Sequence, residues 1–152
     1  MSLDELHLYR LLVAIDGSSS STLALRAAIT VARRDNAAVT LLTVAPDASA
    51  QVSGFAVAAG LPPTPQETLD AEAEKILRAA VEQVPDDIPV HTLVRHGKPG
   101  PAIVDHAREC DYDAILLGAR GVGRVGAIMG SVSAYVVRHA EGVDVFVAHS
   151  GV

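Results

Sequence analysis

Short apolar runs alternate along this chain with longer stretches whose apolar residues return every three or four positions, and this restricts the possible folds more than any other feature. The runs are Leu11–Ile15, Val39–Val44, Val90–Val94, Ala114–Leu117 and Val143–Ala148, each short enough to be one strand. Between them, Leu25, Ala28, Ile29 and Ala32 mark one face of a first helix, and Leu69, Ala73, Ile76, Ala80 and Val84 one face of a second. Thr64 as cap, Pro65 at the first helical position and Glu67 three residues after Thr64 predict where the second begins. A third helix is expected from Pro99 or Pro101, burying Ile103, Ala107 and Cys110, and a fourth from about Ser131, burying Val132, Val136 and Ala140. Strands that alternate with helices are best satisfied by an α/β fold, a mostly parallel sheet with helices on both faces. Aromatic residues are only 3% and Trp is absent, so Val, Ile, Leu and Ala must fill the interior, as suits strands covered on both faces. With 152 residues, a single domain over 1–152 is the expectation.

The stretch from Pro46 to Thr64 has neither period and reads as a long loop, a length that in compact domains usually belongs to a functional flap or a passive insertion. Eighteen acidic against twelve basic residues give a net charge of −6, which disfavours nucleic acid and anionic membranes as partners. The lone Cys110 has no partner for an internal disulfide and reads as a buried, inert thiol. With no secretory signal and no membrane-spanning apolar run, a reducing, cytoplasmic compartment is expected. The six histidines show no metal-ligand spacing, and His106 and His139 are expected to have capping or surface roles.

Residues 118–133, GARGVGRVGAIMGSVS, follow the fourth strand and lead into the last helix. Glycine admits positive φ and lets a ligand approach a backbone that carries no Cβ, and both reasons apply to a run this rich in it. The helix after Gly130 offers unpaired N–H groups and the positive end of its dipole, with Ser131 and Ser133 adding hydroxyls. Together they form a candidate phosphate cradle, the alternative being a solvated loop whose glycines serve turns. The segment is not a P-loop, since no Gly-Lys pair stands there. Gly121, Gly123 and Gly126 match a dinucleotide fingerprint, but that motif belongs to a first βα unit and needs an acid after a second strand; only one strand remains downstream. Asp16, at the end of the first strand, could accept from a ribose hydroxyl or an adenine amine, or cap the first helix. Arg120 and Arg124 could supply charge to phosphates or lie on solvated surface.

These residues resemble the universal stress protein family. That family ends in Gly, two residues, Gly, nine residues, then Gly with Ser or Thr, and Gly118, Gly121, Gly130 and Ser131 match it. Leu12 to Ser18 is similar to the family's first strand and its terminal Asp, and Val44 matches a residue lining its adenine pocket. Gly97 with Pro99 and Ile103, and the stretch from Asp111 to Gly121, also match, so the likeness runs from about Leu8 to His149. There is one departure: eight residues separate Gly121 from Gly130 where the family's ATP-binding pattern has nine, a shortening of up to about 3.5 Å.

The resemblance implies a Rossmann-like, five-stranded parallel sheet of order 3-2-1-4-5, so that Asp16 and Gly118 meet where the strand order reverses. It implies ATP as ligand, with Mg or Mn accompanying the phosphates. The nucleotide would touch Ala14, Ile15, Asp16 and Val44, then Gly118, Ala119, Arg120, Gly121, Arg124 and Gly130, and finally Ser131, Val132 and Ser133. It further implies a homodimer paired through strand 143–148, and a nucleotide-dependent switch with at most slow hydrolysis. A nucleotide-free dimeric interaction module of the same fold is the alternative.

Overall fold

A computed structural model describes residues 5–51, 54–119 and 130–149. The first strand, β1 (Arg10–Ala14), is flanked by β2 (Ala38–Ala45) and β4 (Ala114–Gly118); β3 (Val90–His96) and β5 (Asp144–Ala148) form the outer edges. The sheet is wholly parallel, in the order β3-β2-β1-β4-β5. That is the expected order.

Four helices cover it, and the period-two alternation of the strands decides which side each meets. Leu11, Val13, Val39, Leu41, Ala114 and Leu116 point to one face, against α1 (Ser19–Asp35) and, beyond a five-residue helix α2 (Gly54–Ala58), α3 (Gln66–Val81). Leu12, Leu42, Ile115 and Leu117 point to the other, against α4 (Pro99–Glu109) and α5 (Ser131–His139). Burial on both faces is why β1 and β4 read as unbroken apolar runs.

Local chemistry sets the helix ends. Ser18 caps α1 by accepting from the Ser21 N–H, Asn36 closes it in the left-handed region at φ 57°, and Arg33 and Arg34 complement the negative end of its dipole. The start of α3 differs from the expectation: Thr68 and Leu69 both donate to the Pro65 carbonyl, which makes Pro65 the cap and displaces Thr64. The buried stripe of α3 is Ala73, Leu77 and Ala80, and Val84 is buried beyond the helix end. The expected loop 46–64 holds a 3₁₀ turn, Ala48–Gln51, as well as α2. Ala140, the C-cap of α5, is half-buried against the same cluster as Val136, and β5 begins at Asp144, one residue later than expected.

Two corrections concern α4. Cys110 is its C-cap and only half-buried. His106, expected to cap a helix or lie at the surface, is buried, with Nε2 2.9 Å from the Tyr112 hydroxyl and Nδ1 without a hydrogen-bond partner among the described residues. Burial, helped by the Arg95 guanidinium, pushes the imidazole pKa down. The folded chain therefore holds His106 neutral, while in the unfolded chain an ordinary imidazole protonates as the pH falls through about 6.5. Protonation thus favours unfolding: the His106 contribution is whole above about pH 6.5 and is lost below it until the folded ring also protonates. We expect the melting temperature to fall between about pH 7.5 and 5.5, and to fall less in His106→Gln, which keeps a donor for Tyr112 without the titrating ring. Equal slopes for the two proteins in a pH series of thermal melts would exclude His106 as the cause.

Candidate nucleotide site

β1 sends its chain onward to β2 on one side, while β4 lies on its other side, so connections leave in opposite directions and the carboxyl ends of β1 and β4 part. In open parallel sheets such a switch point is where ligands bind. A crevice of about 340 Å³ opens there, within the size range of small-molecule sites.

Its walls come from three strand ends and four helices. Ala14, Ile15 and Asp16 continue β1; Leu42, Thr43 and Val44 belong to β2; Leu117 and Gly118 end β4. Gly130, Ser131, Val132 and Ser133 start α5. Ser18 and Ser21 come from the start of α1, Ile76 from α3, and Pro99 and Ile103 from α4. The expected residues Ala14, Ile15, Asp16, Val44, Gly118 and Gly130 to Ser133 thus meet, though more than 110 positions separate the first from the last. Arg120, Gly121 and Arg124 lie outside the described residues, as does the eight-residue spacing that contains Arg124.

Short hydrogen bonds fix the floor. Ile15 N–H donates to the Leu42 carbonyl at 2.8 Å, and the buried Thr43 hydroxyl donates to the Ile15 carbonyl at 2.9 Å, locking the exit of β1 to β2. Asp16 is exposed and one of its oxygens, Oδ1, accepts from the Ser18 N–H at 2.9 Å. The cap of α1 is therefore Ser18, and Asp16 braces the turn before it while its carboxylate retains further acceptor capacity. Gly17 takes that turn at φ +83°, where a side chain is strained.

Neither Gly118 nor Gly130 has positive φ, and at Gly118 the reason for glycine is space. A Cβ on Gly118 would stand 2.5 Å from Ser20 Cβ and 2.6 Å from the Ser20 carbonyl carbon, so the absence of a side chain lets β4 abut the first turn of α1. Gly130 is extended, φ −74° and ψ 168°, and brings no side-chain acceptor to the first turn of α5. Ala119 does not line the crevice but joins its two sides. Its N–H donates to Ala148, and its carbonyl accepts from Gly130 N–H and, at 2.9 Å, from the Ser133 hydroxyl. The Ser133 hydroxyl is also 3.0 Å from the Gly130 carbonyl, so its proton is directed at main-chain oxygens on the inner side of α5. Ser131 is exposed.

The contributions of Ser18, Ser21, Leu42, Thr43, Ile76, Pro99, Ile103 and Leu117 were not expected from the sequence. Thr43 carried a weak signal, a hydroxyl near the carboxyl end of an apolar run that also holds Thr40. Ile76 and Ile103 carried none, because helical period reports a buried face without saying which turn overhangs a crevice. Chemically, the crevice joins an apolar wall, a carboxylate, and a helix N-terminus approached over backbone without side chains. Among the described residues, no three His, Cys, Asp or Glu side chains stand together as a metal site.

The sequence model of the Universal stress protein family matches residues 8–149. Universal stress protein YxiE of Bacillus subtilis is 32% identical over 133 residues, covering 82% of this chain and 88% of its own. Among solved structures, universal stress protein UspA from Lactobacillus plantarum superposes with a TM-score of 0.76 at 28% identity, over 95% of this chain and 99% of its own. A universal stress protein solved in complex with cAMP has a TM-score of 0.59 at 26% identity, over 95% of this chain and 98% of its own.

Proposed function

This chain belongs to the universal stress protein family, and on that premise we propose that it binds ATP in the switch-point crevice and uses nucleotide occupancy as a conformational or partner signal. The observation that carries the reading is the convergence in one crevice of Asp16, Val44, Gly118 and the Gly130–Ser131 helix start. Ala14, Leu42, Val44 and Ile103 supply apolar surface for adenine, and Asp16 supplies an acceptor for ribose hydroxyls. The phosphates approach the N-terminus of α5 past Gly118 and Gly130, where no Cβ intervenes. The backbone N–H groups of Ser131, Val132 and Ser133 face that end of the helix dipole. Arg120, Gly121 and Arg124, in the glycine-rich stretch, complete the phosphate contacts, and Mg²⁺ or Mn²⁺ accompanies them. The cAMP complex of a relative supports an adenine nucleotide as ligand. Nucleotide-dependent melting tests the proposal: ATP is expected to raise the melting temperature, and no rise with ATP, ADP or AMP at millimolar concentration overturns it.

The edge strand β5 favours a dimer as the form in which this signal is passed on. Among the described residues it pairs with β4 alone within the sheet, it alternates half-buried Val145 and Val147 with a Phe146 that is 42% exposed, and Val137 on α5 is 47% exposed. An apolar edge with unpaired backbone groups invites a second copy. Light scattering is expected to show a dimer at micromolar concentration, with Val145→Lys shifting it toward monomer. A wild type that is monomeric throughout this range removes the pairing.

A further inference from the structure

The chain leaving β2 is held by a side chain and not by a strand. Gln66, the first residue of α3, donates from Nε2 to the Pro46 carbonyl at 3.0 Å, and its Oε1 accepts from the Ala48 N–H at 2.8 Å. A carboxamide presents the same donor and acceptor as a peptide group, so this pair of bonds replaces a missing rung of the ladder just past Ala45. Gln66 Nε2 also donates to Asp70 Oδ1 at 2.9 Å, and the same oxygen lies 2.8 Å from His96 Nε2. His96 is the last residue of β3 and is in register with Ala45, whose carbonyl accepts from the Gly97 N–H at 3.0 Å. Donation by Gln66 and then by His96 holds the Asp70 carboxyl below the ordinary carboxylate range.

Three side chains from two elements therefore tie the start of α3, the end of β3 and the exit of β2 together. The β2 residues Leu42 to Val44 and Ile76 of α3 line the crevice next to this knot. We propose that Gln66, Asp70 and His96 form a clip that positions the β2 wall of the crevice for its ligand, an inference that rests on the nucleotide reading of that crevice. The ladder between β2 and β3 runs in register to Ala45 and His96 and closes with the Gly97 bond, past which Gln66 holds the chain at Pro46 and Ala48; without the clip this exit frays back toward the crevice wall. A frayed wall must then be ordered at the expense of binding.

Amide hydrogen exchange at Ala48 and calorimetric titration with ATP, run on wild type, Gln66→Ala, Asp70→Ala and Asp70→Asn, test the clip. Exchange at Ala48 is expected to rise roughly 5- to 10-fold in both alanine variants, with a loss of ATP affinity of similar size, as removal of one or two net hydrogen bonds implies. Asp70→Asn keeps an Oδ1 acceptor and is expected to stay near wild type in both, which a general loss of helix stability would not produce. Unchanged exchange in Gln66→Ala overturns the clip, and so does an Asp70→Asn variant as impaired as Asp70→Ala. Raised exchange with intact ATP affinity overturns its role in the crevice. A wild type that binds no ATP overturns the nucleotide reading, and Ala48 exchange then decides on the clip alone.

Discussion

Replacing Gly118 with alanine is expected to lower the melting temperature by about 6–12 °C, although the change adds one methyl group. The new Cβ would lie 2.5 Å from Ser20 Cβ, 2.6 Å from the Ser20 carbonyl carbon and 2.8 Å from the Ser21 nitrogen. Two of these three are backbone atoms near the start of α1, so no rotamer change relieves the clash and β4 must move away from α1. Overpacking of a close contact costs about 3 kcal/mol at its upper range, and each kcal/mol moves a domain of this size by about 2–4 °C. The same displacement widens the floor of the crevice, because Ser18 and Ser21 stand on one side of this contact and Leu117 on the other. Ser20→Gly in the same chain removes the nearest atom but leaves the backbone contacts, so the double variant is expected to be less destabilised than the sum of the single ones without returning to wild type. Strict additivity, or a Gly118→Ala protein that melts with the wild type, would show that the contact is looser than its geometry.

The importance of Gly118 was legible in the sequence, but this contact was not. A glycine-rich run after a buried strand draws attention to Gly118 and Gly130, and the usual explanation is positive φ or ligand approach. The backbone takes neither residue into the positive-φ region, and the constraint on Gly118 comes from Ser20, ninety-eight positions earlier. Period and alternation located the strands and helix faces because those signals are local. They left the ends less defined: Thr64, Pro65 and Glu67 fit a capping box, yet the Pro65 carbonyl takes the first helical bonds. The strand order came only with the family resemblance, since parallel strands joined by helices can be wound in several orders with the same pattern. Of the site, the strand ends and the start of α5 were readable because chain direction and glycines mark them. The α3 and α4 contributions, and the bonds from Gln66 across eighteen and twenty positions, depend on tertiary placement that no local pattern encodes.

The nucleotide itself gives the second large effect. ATP with Mg²⁺ at about 100 times its dissociation constant adds about 2.7 kcal/mol to the folded state, which at about 2–4 °C per kcal/mol raises the melting temperature by roughly 5–10 °C. Gly130→Val is expected to remove most of that rise. Gly130 lines the crevice and precedes the first turn of α5, so a branched side chain there narrows the approach to the helix N-terminus. Its φ of −74° and ψ of 168° are extended values that valine adopts without strain, so the variant should fold, with only a modest loss from the poorer cap. Each protein's own shift with ligand is therefore the quantity to compare. Ser131→Ala deletes an exposed hydroxyl but keeps its N–H, and it is expected to reduce the rise by less than Gly130→Val. The order wild type, Ser131→Ala, Gly130→Val, from largest to smallest rise, locates the phosphates at the start of α5. An undiminished rise in Gly130→Val would place them elsewhere in the crevice. No rise in any of the three would leave the chain a family member without nucleotide, and pairing through β5 would then be the function to pursue.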